Sequence, residues 1–74
     1  MKEKEINSIV RKFSRVMGPV AERIAVDVAK ELGIRKGDKI SPSNAEDYEK
    51  FLGRLGESYA KIIGTEVVKT IMKL

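Results

Sequence analysis

Few side chains in this chain are suited to catalysis. Histidine and cysteine are absent, so the usual general base, the thiol nucleophile and the common zinc ligand sets are missing. Ser58 and Lys61 have the Ser-x-x-Lys spacing at which a lysine can activate a serine nucleophile. That chemistry also needs a buried lysine, further motifs and an oxyanion hole, which require a much larger scaffold. We therefore expect no acyl-transfer site.

Acidic residues gather in one region, at Asp38, Glu46, Asp47 and Glu49. Their spacing does not match a calcium-binding loop, and acids in the first turn of a helix are explained by the helix dipole. No glycine-rich phosphate loop is present either. We predict a protein that is not an enzyme and that carries no metal and no cofactor.

Basic residues are concentrated in the first half of the chain. Residues 1–37 carry nine basic and five acidic side chains, whereas residues 38–74 carry six of each. Because phosphate backbones bind such charges, nucleic-acid binding is an alternative function. It would use Arg11, Lys12 and Arg15 on one helix face, beside Lys4, and Arg35 and Lys36 in a loop that also holds Lys39. The two Tyr and two Phe all fall on apolar faces and leave no stacking platform for single strands.

The segment Val28–Ile34 is similar to the first helix and turn of a helix-turn-helix DNA-binding motif. That motif needs a recognition helix directly after the turn. Gly37 and Pro42 should prevent one, because both residues disfavour a helix interior. A helix that ends at a glycine cap, Gly33, explains the same residues.

The 74 residues are enough for a single domain, residues 1–74. A core of this size supplies only about 3–5 kcal/mol, and without cysteine no disulfide adds to it. Idealised helix packing and self-association are the stabilisers that remain. Charged residues make up 35% of the chain, Gln is absent and the only amides are Asn7 and Asn44, a composition that high working temperature favours.

No apolar run approaches the roughly 18 consecutive residues that a membrane span requires. No uninterrupted apolar segment follows the charged N-terminus, so we also expect no signal peptide. These features predict a cytoplasmic protein without membrane association.

The spacing of apolar residues predicts about four helices. The first should begin between Lys2 and Glu5, run to about Met17 and break at Gly18-Pro19. The second segment, over 19–32, should bury Val20, Ala21, Ile24, Val28 and Leu32. Two arrangements would produce the break: a sharp kink in one long helix, or a new helix with Gly18 as its N-cap and Pro19 as its first residue. Residues 34–43 read as a loop, with room for a short extended pair.

A third helix should start at Ser43, in a capping box with Glu46, or at Ser41 followed by Pro42. Its predicted apolar face comprises Tyr48, Phe51, Leu52, Leu55, Tyr59, Ile62 and Ile63. The apolar phase changes at Gly64, which predicts a distinct terminal helix with Thr65 as its N-cap.

The two breaks follow similar sequences. Residues 13–18, Phe-Ser-Arg-Val-Met-Gly, match residues 59–64, Tyr-Ala-Lys-Ile-Ile-Gly, class for class. Chance similarity between two amphipathic helices also explains this match. We predict an all-α bundle of about four helices, built from two helix–break–helix units that pseudo-two-fold symmetry would relate if the match is a true repeat.

The apolar stripe after Gly64, together with an exposed Val26, suggests surface left over once the chain has folded. We therefore predict a non-catalytic helical protein-interaction or oligomerisation module that forms a homodimer or binds another protein. The expected contact residues are Val67, Val68, Ile71 and Met72.

Overall fold

A computed structural model of the chain describes residues 2–37 and 39–73. Over these residues four helices enclose one core and a small hairpin joins the second helix to the third, which confirms the predicted all-α bundle. The elements are α1 (Lys2–Met17), α2 (Val20–Glu31), β1 (Arg35–Lys36), β2 (Lys39–Ile40), α3 (Ala45–Ile63) and α4 (Thr65–Met72). Asp38 of the acidic region, Leu74 of the terminal stripe and the Lys4 side chain lie outside the described residues.

The first corner of the chain is the break at Gly18-Pro19. The Gly18 N–H donates to the Ser14 carbonyl at 2.8 Å and closes the last turn of α1. Gly18 then adopts φ +81°, a left-handed conformation that side chains other than hydrogen disfavour. Pro19, with φ −59°, is the N-cap of α2, so the predicted break is confirmed but the cap is Pro19 rather than Gly18.

The end of α2 and the hairpin follow the predicted pattern. The Ile34 N–H donates to the Ala29 carbonyl at 3.0 Å and the Gly33 N–H to the Lys30 carbonyl at 3.2 Å, the two bonds of a Schellman cap. Ile34 is buried, and β1 pairs antiparallel with β2 directly after it. The short extended pair is therefore present, and the position that a recognition helix would need is a hairpin.

The start of α3 differs from both predicted caps. Asn44, with extended backbone, is the N-cap, and its side-chain oxygen accepts a hydrogen bond from the Asp47 N–H at 2.8 Å. Asparagine is among the strongest N-cap residues, and its carbonyl oxygen reaches the third helical residue as a serine hydroxyl would. Ser43 and Ser41 are therefore not the cap.

The second corner of the chain is Gly64, where φ is +91° and ψ is 151°. Its N–H donates to the Ala60 carbonyl at 2.9 Å and its carbonyl accepts from the Val68 N–H at 3.2 Å. The backbone thus ends α3 and starts α4 at the same residue. The distinct terminal helix is confirmed, with Gly64 rather than Thr65 as its N-cap.

Helices α1 and α3 run in the same direction. Near their starts, Tyr48 hydrogen-bonds to Glu5; near their ends, the rings of Phe13 and Tyr59 lie 4.2 Å apart between centroids. Each helix is followed by a helix that turns back along it, so both corners lie at one end of the bundle. The core is formed by Ile6, Phe13, Ala21, Ala25, Val28, Ala29, Ile34, Phe51, Leu55, Tyr59, Val68 and Ile71.

Two residues assigned to the core by periodicity are on the surface. Val20 begins α2 and Ile62 lies two residues before Gly64, and both are exposed. In α2 Ala21 and Val28 are buried as predicted, and Ala25 and Ala29 are buried as well. The three alanines lie four residues apart and allow close helix approach. The predicted exposure of Val26 is also corrected, because the structure leaves it only partly exposed.

Candidate interaction surface

The apolar stripe of α4 is largely buried in the core. Val68 and Ile71 are only 7% and 5% exposed, so they are not available to a partner. Met72 is partly buried, and a Cβ added at Gly56 would lie 3.8 Å from the terminal methyl of Met72 and 3.8 Å from a methyl of Val68. The bend at Gly64 turns the stripe back onto α3. The expectation of leftover surface is therefore corrected for Val68 and Ile71, and of the four predicted contact residues only Val67 is exposed.

Among the described residues, the exposed large aliphatic side chains all border the two corners. They are Val16, Val20, Ile62 and Val67, with exposed fractions of 55%, 43%, 56% and 40%. We call this set the corner surface. Each of the four lies two or three residues from a corner glycine in the sequence, whereas single exposed aliphatic residues scattered over a surface are normal on any protein.

Contacts between the two helix–break–helix units place both corners at the same end. The Tyr59 hydroxyl donates to the Ala21 carbonyl at 2.6 Å, so the last turns of α3 lie against the first turn of α2. Phe13 and Tyr59 each precede their corner glycine by five residues and stack on each other. Val16 and Ile62 hold the same place in the two matching sequences, three residues after these aromatics.

Sequence reasoning missed Val16 and placed Val20 and Ile62 on buried faces. Helical periodicity describes which direction a side chain points but not how far the core extends along the helix axis. Ile62 lies in the last turn of α3 and is exposed although its phase points inward, so an inward phase near a helix end does not by itself mean burial. The available signal was the position of these aliphatic residues within a few residues of a glycine break.

Tyr59 is the residue whose hydroxyl connects the end of α3 to the start of α2. Its ring is fully buried and its hydroxyl hydrogen bond to Ala21 is internal to the core. Burial raises the pKa of Tyr59 above its ordinary value of 10.0, because the phenolate would lose its hydration. Burial also raises the pKa of Tyr48, with a further contribution from its hydrogen bond to the Glu5 carboxylate and from that group's charge.

The residues predicted for nucleic-acid binding lie along the outside of α1 and on the hairpin, and we call them the basic surface. A groove of about 390 Å³ is lined by Arg11, Lys12 and Arg15, together with Asn7 and Ser8. Asn7 and Arg11 also line a cavity of about 290 Å³ that reaches Ile40 of the hairpin. Arg35 and Lys36 are exposed on β1, which pairs with β2 so that Arg35 lies opposite Ile40. Glu22 lines the second cavity and places one negative charge there.

The five predicted residues of the basic surface form no ion pair with any described residue. Within the described chain, ion pairs join Lys50 to Glu46 at 3.3 Å and Arg54 to Glu31 at 2.8 Å. Arg35 instead donates from Nε to the Gly37 carbonyl at 2.9 Å. Lys36 and Lys39 lie opposite each other in the hairpin, an arrangement of like charges that is mildly destabilising.

The described side chains form no group of three or more His, Cys, Asp or Glu suited to holding a metal ion. Lys61 of the Ser-x-x-Lys sequence is exposed on α3, whereas the chemistry of that motif needs a buried lysine. No helix over residues 2–37 and 39–73 is both long and apolar enough to span a bilayer.

Comparison of this chain with protein-family models, with curated proteins and with solved structures finds no match.

Proposed function

We propose that this protein is a non-catalytic helical module that self-associates, and that the corner surface forms the contact. The observation that carries this proposal is the concentration of exposed aliphatic side chains at one end of the bundle, at Val16, Val20, Ile62 and Val67. Elsewhere on the described surface large aliphatic residues are at least partly covered.

The size of the corner surface determines the expected affinity of self-association. Complete burial of a Val or Ile contributes about 1.5–3 kcal/mol, and these four side chains are each already about half buried. Their remaining burial therefore contributes about 3–6 kcal/mol per copy, or about 6–12 kcal/mol for the two copies of a dimer, against an association cost of about 4–15 kcal/mol. A weak dimer is the expected result, with an interface at the small end of the range for specific complexes.

Sedimentation equilibrium across the micromolar range tests the proposal. We expect the mean mass to rise with concentration from that of one chain toward that of two. Ile62→Ser should reduce association, because it removes apolar surface at the contact without opening a hole in the core. Glu49→Ser is the matched control, since Glu49 is exposed near the start of α3, at the opposite end. A parent chain that stays monomeric throughout would contradict the proposal.

Nucleic-acid binding is a second candidate function, favoured by the absence of ion pairs between the basic surface and any residue that the structure describes. Unpaired Arg and Lys side chains along a polar groove can neutralise backbone phosphates without first breaking an internal contact. Binding of this kind would be sequence-independent and would weaken steeply with salt.

A filter-binding assay with double-stranded DNA at low and moderate salt tests this second function. We expect Arg11→Ala with Arg15→Ala to weaken binding and to lower its salt dependence. Lys50→Ala with Arg54→Ala removes the same charge from ion-paired sites and is the control. No retention of DNA at about 50 mM salt would exclude this function, because electrostatic binding is strong under that condition.

A further inference from the structure

Both corners carry the same types of side chain around the corner surface. A basic residue lies in the last turn before each corner, Arg15 in α1 and Lys61 in α3. An acidic residue lies in the first turn after each corner, Glu22 in α2 and Glu66 in α4. All four are exposed, and none forms an ion pair with a described residue.

The positions of these charges have a cause within the single chain. Each corner places the carbonyl end of one helix beside the amide end of the next, and basic and acidic residues respectively stabilise those ends. The consequence is that side chains of both signs border the aliphatic residues Val16, Val20, Ile62 and Val67. With Arg23, the segments 15–23 and 61–67 carry three bases and two acids, a net charge of +1.

A surface with this charge distribution fits a second copy of itself. A nucleic acid would meet repulsion from Glu22 and Glu66, and a partner of one charge sign would leave the other sign unpaired. In an isologous dimer the same patch faces itself after a 180° rotation, so each base can meet an acid while the aliphatic centres come together.

We infer that two copies pair corner surface to corner surface about a two-fold axis, with Arg15 and Lys61 of each copy facing Glu22 and Glu66 of the other. This inference rests on the proposed self-association and adds its symmetry and its charge contacts. The ion pairs lie at the rim of an apolar centre, so they select the partner and the orientation more than they add affinity.

Two charge-reversed variants test the pairing without requiring knowledge of which base meets which acid. Arg15→Glu with Lys61→Glu changes the net charge of the two corner segments from +1 to −3, and Glu22→Lys with Glu66→Lys changes it to +5, since each reversal shifts the charge by two. Each variant alone should sediment as a monomer, because like charges then face each other across the two-fold axis. An equimolar mixture should form a one-to-one heterodimer that added salt dissociates.

Controls separate folding, self-association and symmetry. Circular dichroism of each variant must show the helix content of the parent, and reversal of the remote residues Lys36→Glu and Glu49→Lys should leave homodimerisation intact. If the parent dimerises and Ile62→Ser dissociates it, but both charge-reversed variants remain homodimers, the inferred charge pairing is wrong and the proposed function stands. If the parent is monomeric and the oppositely charged variants do not associate when mixed, the charge pairing and the proposed self-association are both wrong.

Discussion

At the scale of single residues, Tyr59 connects the two halves of the chain. The matching position in the first half is Phe13, which has no hydroxyl, and the two rings stack. The Tyr59 hydroxyl donates to the carbonyl of Ala21, at the start of the helix that follows the first corner. No buried side-chain polar atom within the described residues lacks a hydrogen-bond partner. Tyr59 thus adds a directional contact to a core that is otherwise apolar.

This contact predicts a loss of stability at alkaline pH. Because burial raises the pKa of Tyr59 in the folded state, the unfolded chain releases the proton first as pH rises. The stabilisation is fully present below pH about 10 and declines above it, by up to about 1.4 kcal/mol per pH unit while only the unfolded state is ionised. Urea denaturation at a series of pH values between neutral and strongly alkaline measures the slope.

Tyr59→Phe isolates the contribution of this hydroxyl to the pH dependence of stability. It should reduce the free energy of unfolding at neutral pH by about 1 kcal/mol, because the buried Ala21 carbonyl loses a donor. The gap between the parent and the Phe variant should then shrink as pH rises. A gap that stays constant across the alkaline range would show that Tyr59 ionises equally in both states.

At the scale of elements, the glycines of α3 and its corner have opposite roles. Gly64 has φ +91° and ψ 151°, a region that is essentially restricted to glycine. Gly53 lies inside α3, and a Cβ added there would have no neighbour within 4 Å. The first glycine is required by the bend, whereas the second only lowers helix propensity.

Alanine at these two positions should therefore change stability in opposite directions. Gly64→Ala should reduce the free energy of unfolding by about 1–3 kcal/mol, because alanine must adopt a strained backbone or shift the bend. Gly53→Ala should increase it by about 1 kcal/mol through better helix propensity. Urea denaturation of both variants and the parent measures the two changes. Equal tolerance at both positions would mean that α3 and α4 join without the observed bend.

The existence of these elements was predictable, but some of their ends were not. Apolar spacing located all four helices, since it reflects a periodicity that extends over many residues. Ser41, Ser43 and Asn44 are all suitable N-cap residues for α3. The sequence does not show which side-chain oxygen accepts from the free N–H of the first helical turn, and in the structure it is that of Asn44.

The candidate site was harder to predict than the fold. The change of phase at Gly64 correctly indicated a bend, and the bend itself buries Val68 and Ile71 instead of leaving them for a partner. The change of phase at Gly64 therefore led to a correct prediction of the bend and to a wrong prediction that the residues after it stay exposed. Val16 and Ile62 remain exposed in the last turns of α1 and α3, and sequence periodicity does not predict how completely the neighbouring helices cover those turns.

At the scale of the whole molecule, a core of this size leaves little margin of stability. Most of its buried side chains are aliphatic or alanine, and the exposed ion pair between Arg54 and Glu31, which links α2 to α3, contributes at most about 1 kcal/mol. Any association that favours the folded chain then adds stability by mass action.

Self-association through the corner surface predicts that the melting temperature rises with protein concentration. Once most chains are dimeric, a tenfold increase in concentration should raise Tm by roughly 3–5 °C, because each chain gains about half of the 1.4 kcal/mol that a factor of ten represents. Circular dichroism melts at several concentrations measure this shift. Ile62→Ser should abolish the concentration dependence while leaving the low-concentration Tm near that of the parent, since Ile62 is 56% exposed in the single chain. A Tm that is independent of concentration in the parent would mean that the corner surface does not couple association to folding.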